Sequence, residues 1–330
     1  MVTHNQYKKW KSALHSAKCP ISYYNFWDGQ SADQIWFTDF VVSHGFFEKH
    51  SKLEFAFFST LGDVNLIKVD ALMHPFSKNR KRIFFTGENI HYDAFHDYSQ
   101  NMLDYKHINL SLGFDHVEDE RYLRFPLWIL EMFPADATTD VIKQRCKQLS
   151  HQQLRDNRTR FCAMVSGTST LLGTESLDMR KNMVGCLNSI SQVDCAGRFL
   201  HNTDDLQTLF NDDKAEFLKR YKFFICPENT SVDGYVTEKV FHSIGSGCIP
   251  IYRGSLNNPE PDVLNHDAIL FWEKDADNTS LIQKVDELWN NPVLYKDFFE
   301  QPRLQPNAWE VVAHYFDSLE QKLHEICRNS

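Results

Sequence analysis

Tyr235, Glu238 and Lys239 crowd the start of one helix and form the densest chemical cluster in the chain. A helix start leaves backbone N–H groups unpaired and carries the positive end of the helix dipole, which suits a phosphate. Lys239 can add a charge to that phosphate, and Glu238 can accept from ribose or sugar hydroxyls. The same residues also describe a plain capped helix, with Thr237 as cap, an acidic first turn and a solvated lysine. Periodicity does not choose between the two. Glu88 is a second candidate: Gly87 lets the backbone turn sharply and sets Glu88 at the tip of an apolar run, although a lone loop glutamate is usually just solvated.

The element that positions the first cluster runs from Lys222 to Ser255. Phe223 to Cys226 is a short apolar run of the kind buried on both faces of a sheet. Pro227 ends it, and Asn229, Ser231, Asp233 and Gly234 make a polar loop. Thr237 opens the helix, Val240, Phe241 and Ile244 face inward, and Gly245 and Gly247 stop it. Cys248 to Tyr252 is a second buried strand. The unit is βαβ-like, with its polar loop at the carboxyl end of a strand, where open parallel sheets bind ligands.

Earlier in the chain, strands are expected at Ile21 to Phe26, before Trp27-Asp28-Gly29, at Leu53 to Ser59, at Arg82 to Thr86 and at Ile108 to Gly113. Trp36, Phe37, Phe40 and Val41 recur at helical spacing, as core residues do. His74 to Lys81 is expected as a polar-basic connection, and Arg121 and Arg124 as residues that order a loop. Asp140 to Asp156 forms a polar helix before a new strand at Phe161 to Val165, and that shift marks the domain boundary. Ser166 to Thr170 is a small-residue loop after this strand, and a last strand is expected at Ala268 to Trp272. Asp275-Ala276-Asp277 has the form of a metal–sugar-nucleotide motif, but Asp277-Asn278 stands where a helix cap is expected. Val312, Tyr315, Phe316, Leu319, Leu323 and Ile326 line one face of a final helix, which is expected to dock on the protein rather than on a membrane surface.

A chain of 330 residues with 42% hydrophobic content and 26 Phe can fill two cores, each in a domain of roughly 150 residues. The net charge of −9 leaves no basic field for nucleic acid. Eight cysteines form no C-x-x-C pair, and those in apolar strands, such as Cys226 and Cys248, fit a reducing cytoplasm. No run reaches the length of a membrane span, and the first twenty residues lack the apolar stretch of a signal peptide. The Cys327 ending lacks the aliphatic pair of a prenylation signal.

Glu228-Asn229-Thr230, then Gly234-Tyr235-Val236-Thr237-Glu238-Lys239, then Gly247-Cys248-Ile249-Pro250-Ile251 and Gly254 follow one another in an order that resembles the donor-binding motif of glycosyltransferase family 10, the α-1,3-fucosyltransferases. Pro227 before Glu228 and Gly234 before Tyr235 depart from the family pattern, and neither removes a side chain assigned to the donor. Arg82 to Asn89 resembles the first-domain motif, in which the glutamate is the proposed catalytic base. Phe114-Asp115 and Arg121 to Pro126 are similar to bacterial members, and Val193 to Arg198 to the VDxxGR segment. The resemblance spans most of residues 20–300. It is weak in the first twenty residues, in 91–106 and at the C-terminus, the parts expected to set acceptor choice.

The resemblance implies an α/β chain of GT-B type, with two Rossmann-like doubly wound domains facing a cleft. Residues 1–156 bind the acceptor, 157–305 bind GDP-fucose, and 306–330 form a helix packing back on the body. The implied reaction is inverting transfer of L-fucose from GDP-β-L-fucose to the 3-hydroxyl of GlcNAc (or Glc) in N-acetyllactosamine-type glycans, giving Lewis x type products. Glu88 is the expected general base, meeting the donor when the domains close. Arg180, Lys239 and the helix start at Val236-Thr237 stabilise the leaving GDP, Asn229 and Tyr235 contact the donor, Glu238 holds its hydroxyls, and Lys214 is a further donor contact. No metal site and no cofactor is implied, with Mg²⁺ or Mn²⁺ at most stimulatory. The expected partners are GDP-fucose and an oligosaccharide acceptor such as N-acetyllactosamine or a glycolipid or lipopolysaccharide glycan. The expected location is the cytoplasm, with peripheral contact to the inner membrane face left open. The alternatives are a glycoside hydrolase using Glu88 and Glu238 as a pair, a GT-B transferase for another nucleotide sugar, and a non-catalytic nucleotide-sugar binder.

Overall fold

The computed structural model describes residues 3–27, 29–49, 52–75, 77–151, 158–167 and 173–328. They divide into two units, one comprising residues up to 139 and from 312 on, the other residues 140–311. The first unit is built on β1 (Leu14–His15), β2 (Ile21–Tyr24), β3 (Glu54–Phe58), β4 (Arg80–Phe85), β5 (Leu110–Gly113) and β6 (Tyr122–Arg124). β1 pairs antiparallel with β2, and β2 through β6 are parallel. Side chains on β3 alternate between two covered faces, as a parallel sheet requires. Phe57 stacks on Phe37 with centroids 4.9 Å apart, while Ala56 and Phe58 join Ile67 and Phe84 on the opposite face. Phe37, Phe40 and Val41 are the buried residues expected of the helix Trp36–Ser43.

Two expectations change here. β4 begins at Arg80, so the basic end of the supposed connection is strand, and Arg80, Lys81 and Arg82 are all buried. For Arg80 and Arg82 the reason is Asp70, fully buried on the helix Leu66–Met73. It accepts from Arg80 Nη2 at 2.6 Å and Arg82 Nε at 2.8 Å, and from Trp10 Nε1 at 3.2 Å. A charge meeting opposite charges and hydrogen-bond donors can sit in a sheet. Tyr122 to Arg124, expected as loop, is a short parallel strand. Arg124 donates from Nε to the Phe114 carbonyl at 3.0 Å, and Arg121 from Nη2 to the Leu103 carbonyl at 2.5 Å, so both arginines do order the local backbone.

The first sheet's strand order follows the chain without reversal. The switch-point order expected of both units is therefore found in the second. There β7 (Arg160–Met164), β8 (Val193–Cys195), β9 (Tyr221–Ile225), β10 (Ile249–Tyr252) and β11 (Leu270–Phe271) are all parallel, in the order β8-β7-β9-β10-β11. Counted within the unit this is 2-1-3-4-5, which reverses direction between β7 and β9. Phe223, Ile225, Ile249 and Ile251 pack under Val285 and Leu288 of the helix Thr279–Asn290. Residues 140–150 of the helix Thr139–Ser150, expected to close the first domain, group with this second unit. The expected boundary at Asp156 and Asn157 lies outside the described residues.

On the final helix, Ala308–Arg328, the stripe Val312, Phe316, Leu319 and Leu323 is buried. Phe316 meets Trp36 at 5.6 Å and Phe40 at 6.1 Å, so the apolar face is covered by the first unit, to which residues from 312 on belong. No helix among the described residues is long and apolar enough to cross a membrane.

Candidate active site

The reversal between β7 and β9 sends the chain away from the sheet in opposite directions and opens a crevice at the carboxyl ends of those two strands. A cavity of about 230 Å³ lies there, lined by Met164 to Gly167 after β7 and by Phe224 to Pro227 at the end of β9. The side chains that converge on it are Arg180, Lys214, Asn229, Glu238 and Lys239. They come from four separate stretches: the helix Gly173–Leu187, the helix Lys214–Leu218, the loop after β9 and the helix Glu238–Gly245. Of the sequence candidates, Tyr235, Val236 and Thr237 do not reach the lining, and all three are buried beneath the helix start. Thr168 to Thr170 of the small-residue loop lie outside the described residues.

Arg180 is almost wholly buried and forks into the loop after β9. Nη2 donates to the carbonyls of Pro227 and Glu228 at 3.2 and 3.3 Å and to Asn229 Oδ1 at 3.3 Å, while Nη1 donates to the Ser176 hydroxyl. Burial lowers its pKa to about 10, which still leaves it charged near neutrality. Glu238 is the converse case. Burial works against its charge, but the ammoniums of Lys239 and Lys214 and its own helix-start amide hold its pKa down to about 2. It is an ionised acceptor and no acid. His242, one turn on, is pushed down to about 4 by burial and by Lys214, whose Nζ lies 3.4 Å from its Nδ1. It is neutral at pH 7.

Glu228, part of the donor-like motif but given no separate role in the sequence reading, holds the site together. It is fully buried, and Oε1 accepts from the Thr237 amide at 2.8 Å and from the Tyr252 hydroxyl at 3.4 Å. Oε2 accepts from the Thr237 hydroxyl at 2.6 Å and from Lys239 Nζ at 3.2 Å. One of the helix-start donors expected to meet a phosphate is thus taken by the protein itself. No local spacing signals this, because cap and helix start lie nine residues apart across a loop. The carboxylate fits only because Gly254, at φ +159°, carries no Cβ, which would lie 2.5 Å from both Glu228 Cγ and the Tyr252 hydroxyl.

The VDxxGR-like segment proves to be scaffold for the same crevice. Asp194 accepts from Arg160 at 2.7 Å and Tyr221 at 2.9 Å, joining β7, β8 and β9. Gly197 presses on the backbone of Ser166, where any Cβ would overlap the Ser166 amide and carbonyl. Asp277, one residue before the cap Asn278, accepts from the Thr279 amide at 2.9 Å and so belongs to the helix entry.

Glu88 lies in the first unit, just beyond the carboxyl tip of β4. The Thr86 hydroxyl accepts from its amide at 3.0 Å and donates to its carbonyl at 2.8 Å, which fixes the turn. Gly87 is hemmed in: a Cβ there would meet Leu127 Cδ2 at 3.0 Å and Trp27 Cζ2 at 3.3 Å. Nearby on the same edge, Asp115 accepts from His91 Nε2 at 2.8 Å and from Asn101 Nδ2 at 2.7 Å.

Comparison with known proteins bears on both units. The model of the glycosyltransferase family 10 (fucosyltransferase) C-terminal part matches residues 154–329, and that of the α-(1,3)-fucosyltransferase FucT N-terminal domain matches residues 21–131. An α-(1,3)-fucosyltransferase FucT of Helicobacter pylori is 32% identical over 215 residues, covering 58% of this chain and 42% of that protein. An α-(1,4)-fucosyltransferase of Arabidopsis thaliana is 30% identical over 148 residues, covering 42% of this chain and 36% of that protein. The matched regions thus span less than half the length of either relative. Two crystal structures of α1,3-fucosyltransferase, one with GDP, align over 98% of this chain and 95% and 96% of theirs, at TM-scores of 0.58 and 0.55. Their identity of 19% speaks for the fold alone, an α/β fold of GT-B type. With a family model covering more than half of its length, the chain belongs to glycosyltransferase family 10, the fucosyltransferase family.

Proposed function

We propose that the chain is an inverting fucosyltransferase that moves L-fucose from GDP-β-L-fucose to a sugar hydroxyl, the 3-hydroxyl of GlcNAc or Glc in an N-acetyllactosamine-type glycan. The observation that carries this reading is the convergence of Arg180, Lys214 and Lys239 with the ionised Glu238 on the crevice at the β7–β9 reversal. Departure of a nucleoside diphosphate leaves negative charge on its phosphate oxygens, and fixed cations in a partly dry crevice stabilise that charge most. At about 230 Å³ the cavity suits the diphosphate portion, being smaller than the roughly 300 to 1,000 Å³ that encloses a whole drug-sized ligand. Glu238, facing those cations, accepts from donor hydroxyls, and Asn229 contacts the donor beside Arg180. Tyr235, Val236 and Thr237 act from beneath by shaping the helix start.

In this reading Glu88 takes the acceptor hydroxyl's proton as that oxygen attacks the anomeric carbon, and the bond to GDP breaks on the opposite face. Glu238 at a pKa of about 2 cannot donate a proton near neutrality, which favours a transferase over a hydrolase built on a carboxylate pair. The lysines and arginine serve as the electrophilic groups, so the reaction is proposed to need no metal, in the cytoplasm.

The test is GDP release from GDP-fucose, with and without N-acetyllactosamine, in EDTA, for the wild type and Glu88→Gln. Acceptor-dependent release that survives EDTA and falls by about 10²- to 10⁴-fold in the variant is the expected result. A chain that binds GDP-fucose but releases nothing with any acceptor is a nucleotide-sugar binder, and one that prefers another nucleotide sugar corrects the donor.

A further inference from the structure

The first unit holds a second cavity, of about 240 Å³, at the carboxyl end of β2. One wall is the strand tip and the loop after it, with Asn25, Phe26, Trp27 and Gln30. The opposing wall is the N-terminal segment, with Lys9, Ser12 and Leu14. Residues 9–14 lie outside both matched family models, which begin at residues 21 and 154. The helix His4–Lys11 is nevertheless firmly attached, through Trp10 Nε1 donating to the buried Asp70 at 3.2 Å. This chain therefore builds one wall of the cavity from residues that the shared family pattern does not describe.

The lining has the composition of a carbohydrate site. A pyranose presents apolar C–H faces that lie against an aromatic ring and hydroxyls that need polar partners, and a small pocket with one accessible indole and several amide, hydroxyl and amino groups meets both needs. Trp27 is partly exposed. Its ring edge abuts Gly87, the residue before Glu88, and its centroid lies 6.1 Å from that of Phe85. Asn25 adopts left-handed backbone at φ +59° and donates from Nδ2 to the Asp63 carbonyl at 3.1 Å, which fixes the strand tip.

We propose that this cavity is an acceptor subsite, taking a sugar ring of the acceptor other than the one that receives fucose, with Trp27 as the wall shared between this subsite and the Glu88 turn. The inference rests on the reading of the chain as a glycan-modifying transferase and adds where the second ring is held. It also gives the N-terminal segment a task, the choice of acceptor. At its size the cavity takes one ring and not a chain.

The experiment is saturation-transfer NMR on the full chain with N-acetyllactosamine and with GlcNAc alone, for the wild type, Trp27→Ala, Lys9→Ala and Gln30→Ala, alongside titration with GDP-fucose. In the wild type, transfer to both rings of the disaccharide is expected. In Trp27→Ala the affinity for the disaccharide falls about tenfold or more, well beyond the loss for GlcNAc alone, while that for GDP-fucose is unchanged. Lys9 and Gln30 are exposed, so their variants keep the fold and report the same selective loss if Trp27→Ala fails to fold. Equal losses for mono- and disaccharide, unchanged disaccharide binding in all three variants, or no disaccharide binding in the wild type overturns the subsite. A chain that binds sugars but not GDP-fucose instead overturns the donor reading.

Discussion

Glu228 and Thr237 are joined twice: the carboxylate accepts from both the amide and the hydroxyl of Thr237, at 2.8 and 2.6 Å. The pair ties the end of β9 to the start of the helix that carries Glu238 and Lys239. Glu228→Ala leaves a buried amide and a lysine without that partner, and is expected to destabilise the chain by about 2 to 4 kcal/mol in denaturant melts. Glu228→Gln retains one acceptor and is expected to cost less, while weakening GDP binding as Lys239 shifts toward Glu238, now 3.8 Å away. Unchanged GDP affinity in Glu228→Gln would mean that Lys239 needs no such support.

Gly197 tests how closely the crevice depends on its scaffold. In Gly197→Ala the new methyl overlaps the Ser166 backbone, which itself lines the cavity. Overpacking against main chain costs about 1 to 3 kcal/mol. GDP affinity is expected to fall together with stability. Stability loss alone would place Ser166 outside the ligand's reach.

His242 gives a pH signature. Its folded pKa of about 4 lies below the ordinary 6.5, so between those values the unfolded chain binds more protons than the folded one. Stability then rises with pH across that window and falls as the solution is acidified from 6.5 toward 4. The slope from one such group is at most about 1.4 kcal/mol per pH unit. His242→Gln is expected to flatten it, as read from urea midpoints at pH 4.5 and 6.5. An equal slope in the variant would assign the acid limb to other groups.

Asp70 is the counter-charge for two arginines buried in β4. Burial opposes its charge, but Arg80 and Arg82 hold its pKa below the usual carboxylate range, so its contribution is present above the unfolded pKa and lost as pH falls through the folded one. Asp70→Asn keeps the shape and removes the charge. It is expected to cost about 3 to 5 kcal/mol in thermal or urea melts and to loosen the N-terminal helix through Trp10. A neutral effect would show that water reaches Arg80 and Arg82.

The βαβ stretch from Phe223 to Tyr252 was legible in the sequence because its apolar runs are short, bounded by Pro and Gly, and separated by a helical stripe. Glu238 and Lys239 stood out as a charged pair at a helix start, whereas Arg180, Asn229 and Lys214 were legible only through the family pattern, since isolated polar and charged residues carry no spacing signal. Arg80 and Lys81 were misread because three successive basic residues look solvated, and for Arg80 that impression lasts until Asp70, ten residues earlier, is seen in space. Glu228 escaped a role for the same reason: the partners of its carboxylate lie at the start of the following helix and on β10, distant in sequence. Strand order was beyond reach in both sheets, as periodicity reports which face of a strand is buried and not which neighbour it pairs with.

The reversal between β7 and β9 has a consequence for how this site can vary. The hollow comes from the connectivity of the sheet, so it exists before any loop is chosen. Replacing the loop after β9 would change what the hollow prefers without filling it in. Removing the switch point itself would take rerouting a strand, which no point substitution can do. A lineage built on this sheet keeps a vacancy of constant position and is free to retune its tenant.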